Sequence, residues 1–255
     1  IPTLVIIRTL QLNMKENFLV SFSFFIFVYF LKGPADVIRA FASASLYLYA
    51  LSSLAQGRNF AFFFKSLIAI SLHYSALIAF LIYPFKKFKW DLTSYLTVSM
   101  VLMLIGFGLS NLINSVDLSE EYSSLHPIIF KLIYYLTYYN KVGYQYLNDA
   151  HFVFYWLKSL SFPLLVIFNT LHILLLPRSN WSKFNILIFK SQVLGTLIFL
   201  FLVALGAYTF GERVLFLLAI GCFILIAEVV TTSGKPNRHL IIYFWLIFAN
   251  IFISL

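Results

Sequence analysis

The residues most able to do chemistry are few and widely spaced. His73 stands inside "AISLHYSALIAF" (69–80), beside Ser71, Tyr74 and Ser75 in a long apolar run. An imidazole at such a position either moves a proton, holds an anion, or ties two helices together through a hydrogen bond. Arg39 opens the segment "PADVIRAFASASLYLYALSSLA" (34–55), and Arg213 follows Glu212 in "AYTFGERVLFLLAIG" (207–221). A guanidinium can grip two oxygens of one phosphate, which a lysine cannot do with the same geometry. The plainer reading of Arg39 is a side chain snorkelling to a membrane interface. Glu212 reads as a helix-start residue favoured by the dipole, where Arg213 is disfavoured and therefore more telling. Asp149 and His151 are further candidates for a general base, and Glu120 and Glu121 weaker ones. Glu228 lies deep in an apolar run without an evident partner.

These groups must be held by an apolar scaffold. The chain has 255 residues, 62% hydrophobic and 11% charged, and a mean hydropathy of +0.92. A soluble domain carries roughly 25% charged residues, so this chain cannot cover a water-facing surface. Apolar stretches of about 18 or more residues recur throughout, as in polytopic helical membrane proteins, and the ten-residue alternation of a barrel is absent. The expected fold is all-α: a transmembrane bundle of 7–9 helices forming a single integral membrane domain over 1–255. Helices are expected at 17–32, 36–55, 91–113, 151–176, 184–209, 212–232 and 239–255, with 1–12 the end of another. Ile1 stands in an apolar segment without a signal-peptide pattern, so a preceding part of the protein is expected.

The net charge of +9 does not call for nucleic acid; basic residues collect in cytoplasmic loops of membrane proteins. "FKKFKW" (85–90), "RSNWSK" (178–183) and "GKPNRH" (234–239) then lie inside, with Trp90 and Trp181 as interfacial anchors. Residues 114–150 and the "FGER" turn (210–213) lie outside. On this topology the Asn180-Trp181-Ser182 acceptor pattern faces the cytoplasm and means nothing. Residues 60–85 are short for two crossings at about 20 residues each. They read either as one span, with Arg58 outside and Lys15 inside, or, by a slight preference, as a re-entrant pair broken near Ser71 to Tyr74 with both inside; the second reading requires a cavity at His73 because non-helical backbone cannot face lipid. Ala40, Ala44, Ser43 and Ala50 give small-residue surfaces for close helix packing.

The long outer loop contains "HPIIFKLIYYLTYYNKVGYQYLNDAHF" (126–152). Its residues 127–139 are too short to span and suit an interfacial helix. Tyr134 and Tyr138 share one face of it, Tyr135 and Tyr139 another. They form either an aromatic belt at the headgroups or a platform for sugar rings. Cys222 is the only cysteine, so no intrachain disulfide exists. No Cys/His cluster has metal-ligand spacing, and there is no Walker loop, GxGxxG or GxSxG. No metal and no cofactor are expected.

The stretch "IRAFASASLYLYAL…FKSLIAISLHYSALIAFLIYPF" (38–85) resembles the EpsG family of bacterial membrane polysaccharide polymerases, which are Wzy-like. The likeness rests on an Arg before a small-residue-rich helix, a basic hinge, and the pattern of Ala69, His73, Ser75 and Ala76. "GERVLFLLAIG" (211–221) is similar to a second family feature, an Arg opening a later helix, with Arg213 in that place. "RAFASA" departs from the family, which more often has Gln after the Arg, so the carry-over is weaker for Arg39 than for His73. The resemblance implies an enzyme joining polyprenyl-pyrophosphate-linked oligosaccharides into O-antigen, capsule or exopolysaccharide at the outer face of the bacterial inner membrane. That reaction needs its departing pyrophosphate stabilised, for which Arg39 and Arg213 are suitable cations, a base, for which His73 or Asp149 is available, and a glycan groove, which the tyrosines of the outer loop can line; its pathway partners, besides membrane lipids, are a flippase and a chain-length regulator. A flippase for lipid-linked glycans, a membrane O-acyltransferase and a non-catalytic scaffold are the competing readings.

Overall fold

The computed structural model describes residues 2–14, 17–26, 38–115, 151–176 and 181–232, with His239, Ile242 and Tyr243. All the regular structure in these residues is helical. The α-helices are α1 (Pro2–Asn13), α2 (Phe18–Phe25), α3 (Ile38–Ala55), α4 (Asn59–Leu72), α5 (Ile82–Phe85), α6 (Leu92–Ser115), α7 (His151–Leu174), α8 (Lys183–Ala204), α9 (Tyr208–Leu218) and α10 (Cys222–Thr232). A 3-10 helix, Tyr74–Leu81, leads directly into α5. The Tyr-rich segment holding Tyr134, Tyr135, Tyr138 and Tyr139, along with Glu120, Glu121 and Asp149, lies outside the described residues.

Among the described residues, α6 (over Leu92–Leu112) and α8 are long and apolar enough to cross a membrane. The pair Phe210–Leu218 and Cys222–Thr232, bent by 48°, makes a third span if counted as one. These helices share one apolar core that runs from Ile6 to Tyr243. α8 sits at its centre, packed against α3, α6, α7, α9 and α10. Ser182 caps α8 by accepting from the Asn185 backbone N–H at 3.1 Å, which satisfies one of the orphan donors of a helix start.

Two glycines turn the chain where a side chain would be strained. Gly57, with φ +76°, reverses α3 into α4, and Gly206, with φ +90°, reverses α8 into α9. Other glycines allow contact. A Cβ on Gly195 would lie 3.0 Å from Leu218, one on Gly211 3.2 Å from Leu202, and one on Gly221 2.5 Å from Ile188. So α9 and α10 lie close against α8, running antiparallel to it. The small residues Ala40, Ser43, Ala44 and Ala50 are all buried, giving α3 the same close packing against its neighbours α1, α4, α8 and α9.

Two helix boundaries differ from those the sequence suggested. The 184–209 helix ends at Ala204, because the Gly206 turn intervenes. The 212–232 helix begins four residues earlier, at Tyr208, and breaks at Ala219–Gly221. Apolar periodicity runs through both points, so only the backbone reveals them.

Polar side chains in this core are bonded across helices. Gln192 on α8 donates through Nε2 to Thr170 Oγ1 (2.8 Å) and the Val166 carbonyl (3.2 Å) of α7. Asn169 donates to Gln192 Oε1 at 3.3 Å and accepts from the Tyr243 hydroxyl at 2.7 Å. His172 Nδ1 lies 3.0 Å from that hydroxyl. Glu228, for which the sequence offered no partner, lies close to the side chains of Asn17 and Asn185.

Candidate functional site

The segment 59–85 folds back on itself. Phe62 and Phe63, near the start of α4, meet the end of the returning leg. Ring centroids are 6.4 Å apart for Phe62 and Tyr83, 5.1 Å for Phe63 and Tyr83, and 5.7 Å for Phe63 and Phe80. His73 lies at the turn of this hairpin, in extended backbone (φ −153°, ψ 117°). The turn is internally bonded: the His73 N–H donates to the Ala69 carbonyl at 3.1 Å, and the Ala76 N–H to the His73 carbonyl at 3.0 Å. Ser71 spends its hydroxyl on the Ile68 carbonyl at 2.7 Å. The legs are about 21 and 22 Å long at 1.5 Å per α-helical and 2.0 Å per 3-10 residue. Neither reaches across a hydrocarbon core of about 30 Å.

Side-chain bonds fix the heights of the three candidate residues. Ser43 on α3 donates to the Ala69 carbonyl of α4 at 2.8 Å. Arg39 lies four residues before Ser43, and His73 four residues after Ala69. Because α3 and α4 run antiparallel, both lie about 6 Å beyond that bond in the same direction. Deeper in the bundle, Tyr47 Oη and Ser191 Oγ are 2.7 Å apart, and Ser191 donates to the Leu218 carbonyl at 2.6 Å. From this link Arg39 lies about 12 Å along α3, and Arg213 about 7.5 Å along α9, towards the same end. α9 also packs directly on α3 and on the 3-10 helix.

Arg39, His73 and Arg213 are therefore brought together from three separate elements. Both guanidinium groups lie near enough to His73 to act on it electrostatically. Arg39 and Arg213 are exposed and His73 is half-buried, so the group is reachable from outside the core. Two cations beside an imidazole make a positive field that an anionic ligand neutralises, and each guanidinium offers a fork of donors to phosphate oxygens. Among the described residues no three His, Cys, Asp or Glu side chains gather as a metal site.

The position of Arg213 corrects the sequence reading. Ala207 is the N-cap of α9 and the first turn carries no acidic residue. Glu212 is the fifth residue of the helix and Arg213 the sixth, so Glu212 is not a cap and the "FGER" stretch is not the turn. The dipole acts within the first turn, and the argument that it opposes Arg213 falls away.

Sequence reasoning did not pick out Tyr47, Ser191 or Lys65. Lys65 Nζ donates to Ser53 Oγ at 2.7 Å and sits 3.3 Å from the centroid of the Tyr49 ring. A lysine inside "NFAFFFKSLIAISL" was the available signal, since intramembrane charge is costly without a partner. Nothing in the sequence marks Ser191 as different from the other serines.

The model of the EpsG family matches residues 1–255. No curated protein matches the chain, and no solved structure does.

Proposed function

The chain belongs to the EpsG family, and from that premise we propose that this membrane protein of polysaccharide biosynthesis is a polymerase of lipid-linked repeat units. Its donor is a polyprenyl-pyrophosphate-linked glycan, and its site opens to the outer face of the bacterial inner membrane, which the chain crosses several times. The hairpin 59–85 is re-entrant, with both ends at the cytoplasmic basic turns and His73 at its tip within the membrane. A hydroxyl oxygen of the incoming repeat unit attacks the anomeric carbon of the growing chain. The bond from that carbon to the pyrophosphate oxygen breaks, and polyprenyl pyrophosphate leaves with the electron pair. The hydroxyl proton passes to a base, His73 or Asp149. Arg39 and Arg213 bind the pyrophosphate and stabilise the charge that grows on it.

The observation carrying this reading is the convergence of Arg39, His73 and Arg213, from α3, the hairpin tip and α9, towards the same end of the bundle. Cations placed where charge develops act most strongly in a water-poor site, and losing one such donor costs roughly 10²–10³ in rate. The four tyrosines 134, 135, 138 and 139 supply stacking surfaces for the glycan.

The test replaces His73, Arg39 and Arg213 singly with alanine and confirms that each protein remains in the membrane. The surface polysaccharide is then resolved on a gel. A polymerase without its site leaves single repeats on the acceptor instead of a long ladder. Normal ladders from all three variants overturn the assignment, and loss of the single repeat as well points to transport of the lipid-linked glycan.

A further inference from the structure

The link between Tyr47, Ser191 and Leu218 joins the two helices that carry the arginines. Tyr47 and Ser191 are fully buried, at 0% exposure, and Leu218 at 1%. Leu218 is the last residue of α9, and the break at Ala219–Gly221 frees its carbonyl from the helical ladder. Ser191 donates to that carbonyl at 2.6 Å and lies 2.7 Å from the Tyr47 hydroxyl. With the Ser191 hydrogen committed, Tyr47 is the donor of the second bond. One chain of two hydrogen bonds thus runs from α3 through α8 to the base of α9.

Arg39 and Arg213 both act on His73 and carry like charges, which repel, and α9 ends at a bend of 48°. Without a tie, the cheapest relief is for α9 to tilt at the break and carry Arg213 away from Arg39. We propose that Tyr47 and Ser191 are positioning residues that fix the spacing of Arg39 and Arg213 for the two phosphates of one pyrophosphate. The proposal rests on the polymerase reading and adds to it the device that sets the separation of the two cations. Neither residue touches substrate: the link lies about 7.5 Å below Arg213 and about 12 Å below Arg39 along their helices.

The test is Tyr47→Phe, which removes one oxygen and leaves the ring and the Ser191–Leu218 bond in place. The control is Ser45→Ala on the same helix, since Ser45 is equally buried but, among the described residues, bonds within its own helix, to the Phe41 carbonyl at 2.7 Å. Protein in membrane vesicles is supplied with the polyprenyl-pyrophosphate-linked repeat unit extracted from cells lacking it. Tyr47→Phe is expected to lower kcat about fivefold, the size of one net hydrogen bond, with KM changed by less than twofold and Ser45→Ala near wild type. In an Arg213→Lys background, where the fork of donors is already lost, Tyr47→Phe should add less than twofold. Equal losses from Tyr47→Phe and Ser45→Ala, or a full fivefold loss on top of Arg213→Lys, overturn the proposal. So does an unchanged kcat in Tyr47→Phe while Arg39→Ala and Arg213→Ala still abolish the ladder, a result that leaves the polymerase reading standing. Normal ladders from both arginine variants would instead remove the reading on which the proposal rests.

Discussion

Replacing Gly221 with alanine should destabilise the protein by about 1–3 kcal/mol, the usual cost of overpacking a filled core. A Cβ at this position would lie 2.5 Å from Ile188 Cγ2 and 3.3 Å from both Cγ1 and Cδ1. Carbon atoms pack well at about 3.5–4.0 Å, so one partner must give way by about 1 Å. Ile188 cannot rotate aside. It is β-branched and on a helix, where a single χ1 rotamer dominates, and its exposure is 0%. The backbone must move instead, and α9 is attached to it. A Cβ at Gly195 or Gly211 would likewise lie only 3.0 or 3.2 Å from the facing helix, so the α8–α9 surface is close along its length and α9 lifts rather than slides. Arg213, eight residues up the helix, moves with it. The assay is thermal unfolding in detergent, with the polysaccharide ladder alongside. At about 2–4 °C per kcal/mol for a chain of this size class, the midpoint should fall by about 2–12 °C and the ladder should shorten. Ile188→Leu removes the Cγ2 branch at nearly constant volume and should recover part of the loss in the double variant. Gly108 provides the comparison: a Cβ there would meet nothing within 4 Å, so Gly108→Ala should be neutral or stabilising in a helix. An unchanged midpoint for Gly221→Ala, or strictly additive effects with Ile188→Leu, would refute the packing argument.

The hairpin, the α7–α8 polar network and Lys65 can each be tested in turn. With Cys222 replaced by Ala, single cysteines at Gln56 and Phe88 should both react with a membrane-impermeant thiol reagent from the cytoplasmic side only; labelling from opposite sides would exclude the re-entrant hairpin. Gln192→Leu should lower stability by about 1–3 kcal/mol, the cost of stranding buried polar partners, because Asn169 and Thr170 lose their bonds to it; an unchanged melting midpoint counts against the network. Lys65→Met keeps the aliphatic stem and gives up the contact with Tyr49, so a stability change within about 1 kcal/mol and a normal ladder are expected, whereas loss of the ladder would make Lys65 part of the functional machinery.

Composition and patterning alone specify the material of this protein. Its shortage of charge demands an apolar surround, and the long apolar runs specify helices, so α3, α6 and α7 begin and end within a few residues of where the pattern puts them. His73, Arg39 and Arg213 were legible individually because a polar group in an apolar run is costly enough to stand out. Their proximity was not legible, since no periodicity relates positions on three different elements. It arises from long-range contacts: the Ser43–Ala69 bond, the folding back of Phe62 and Phe63 onto Tyr83, and the reversal of the chain at Gly206. The same holds for Arg213, whose place inside α9 depends on where that reversal falls. The break at Ala219–Gly221 was equally hidden, because a glycine in an apolar run looks the same whether it kinks a helix or merely lets Ile188 come close. Ser191 was invisible for the strongest reason: a buried serine acquires its importance from the carbonyl and the hydroxyl it meets, and neither is near it in sequence.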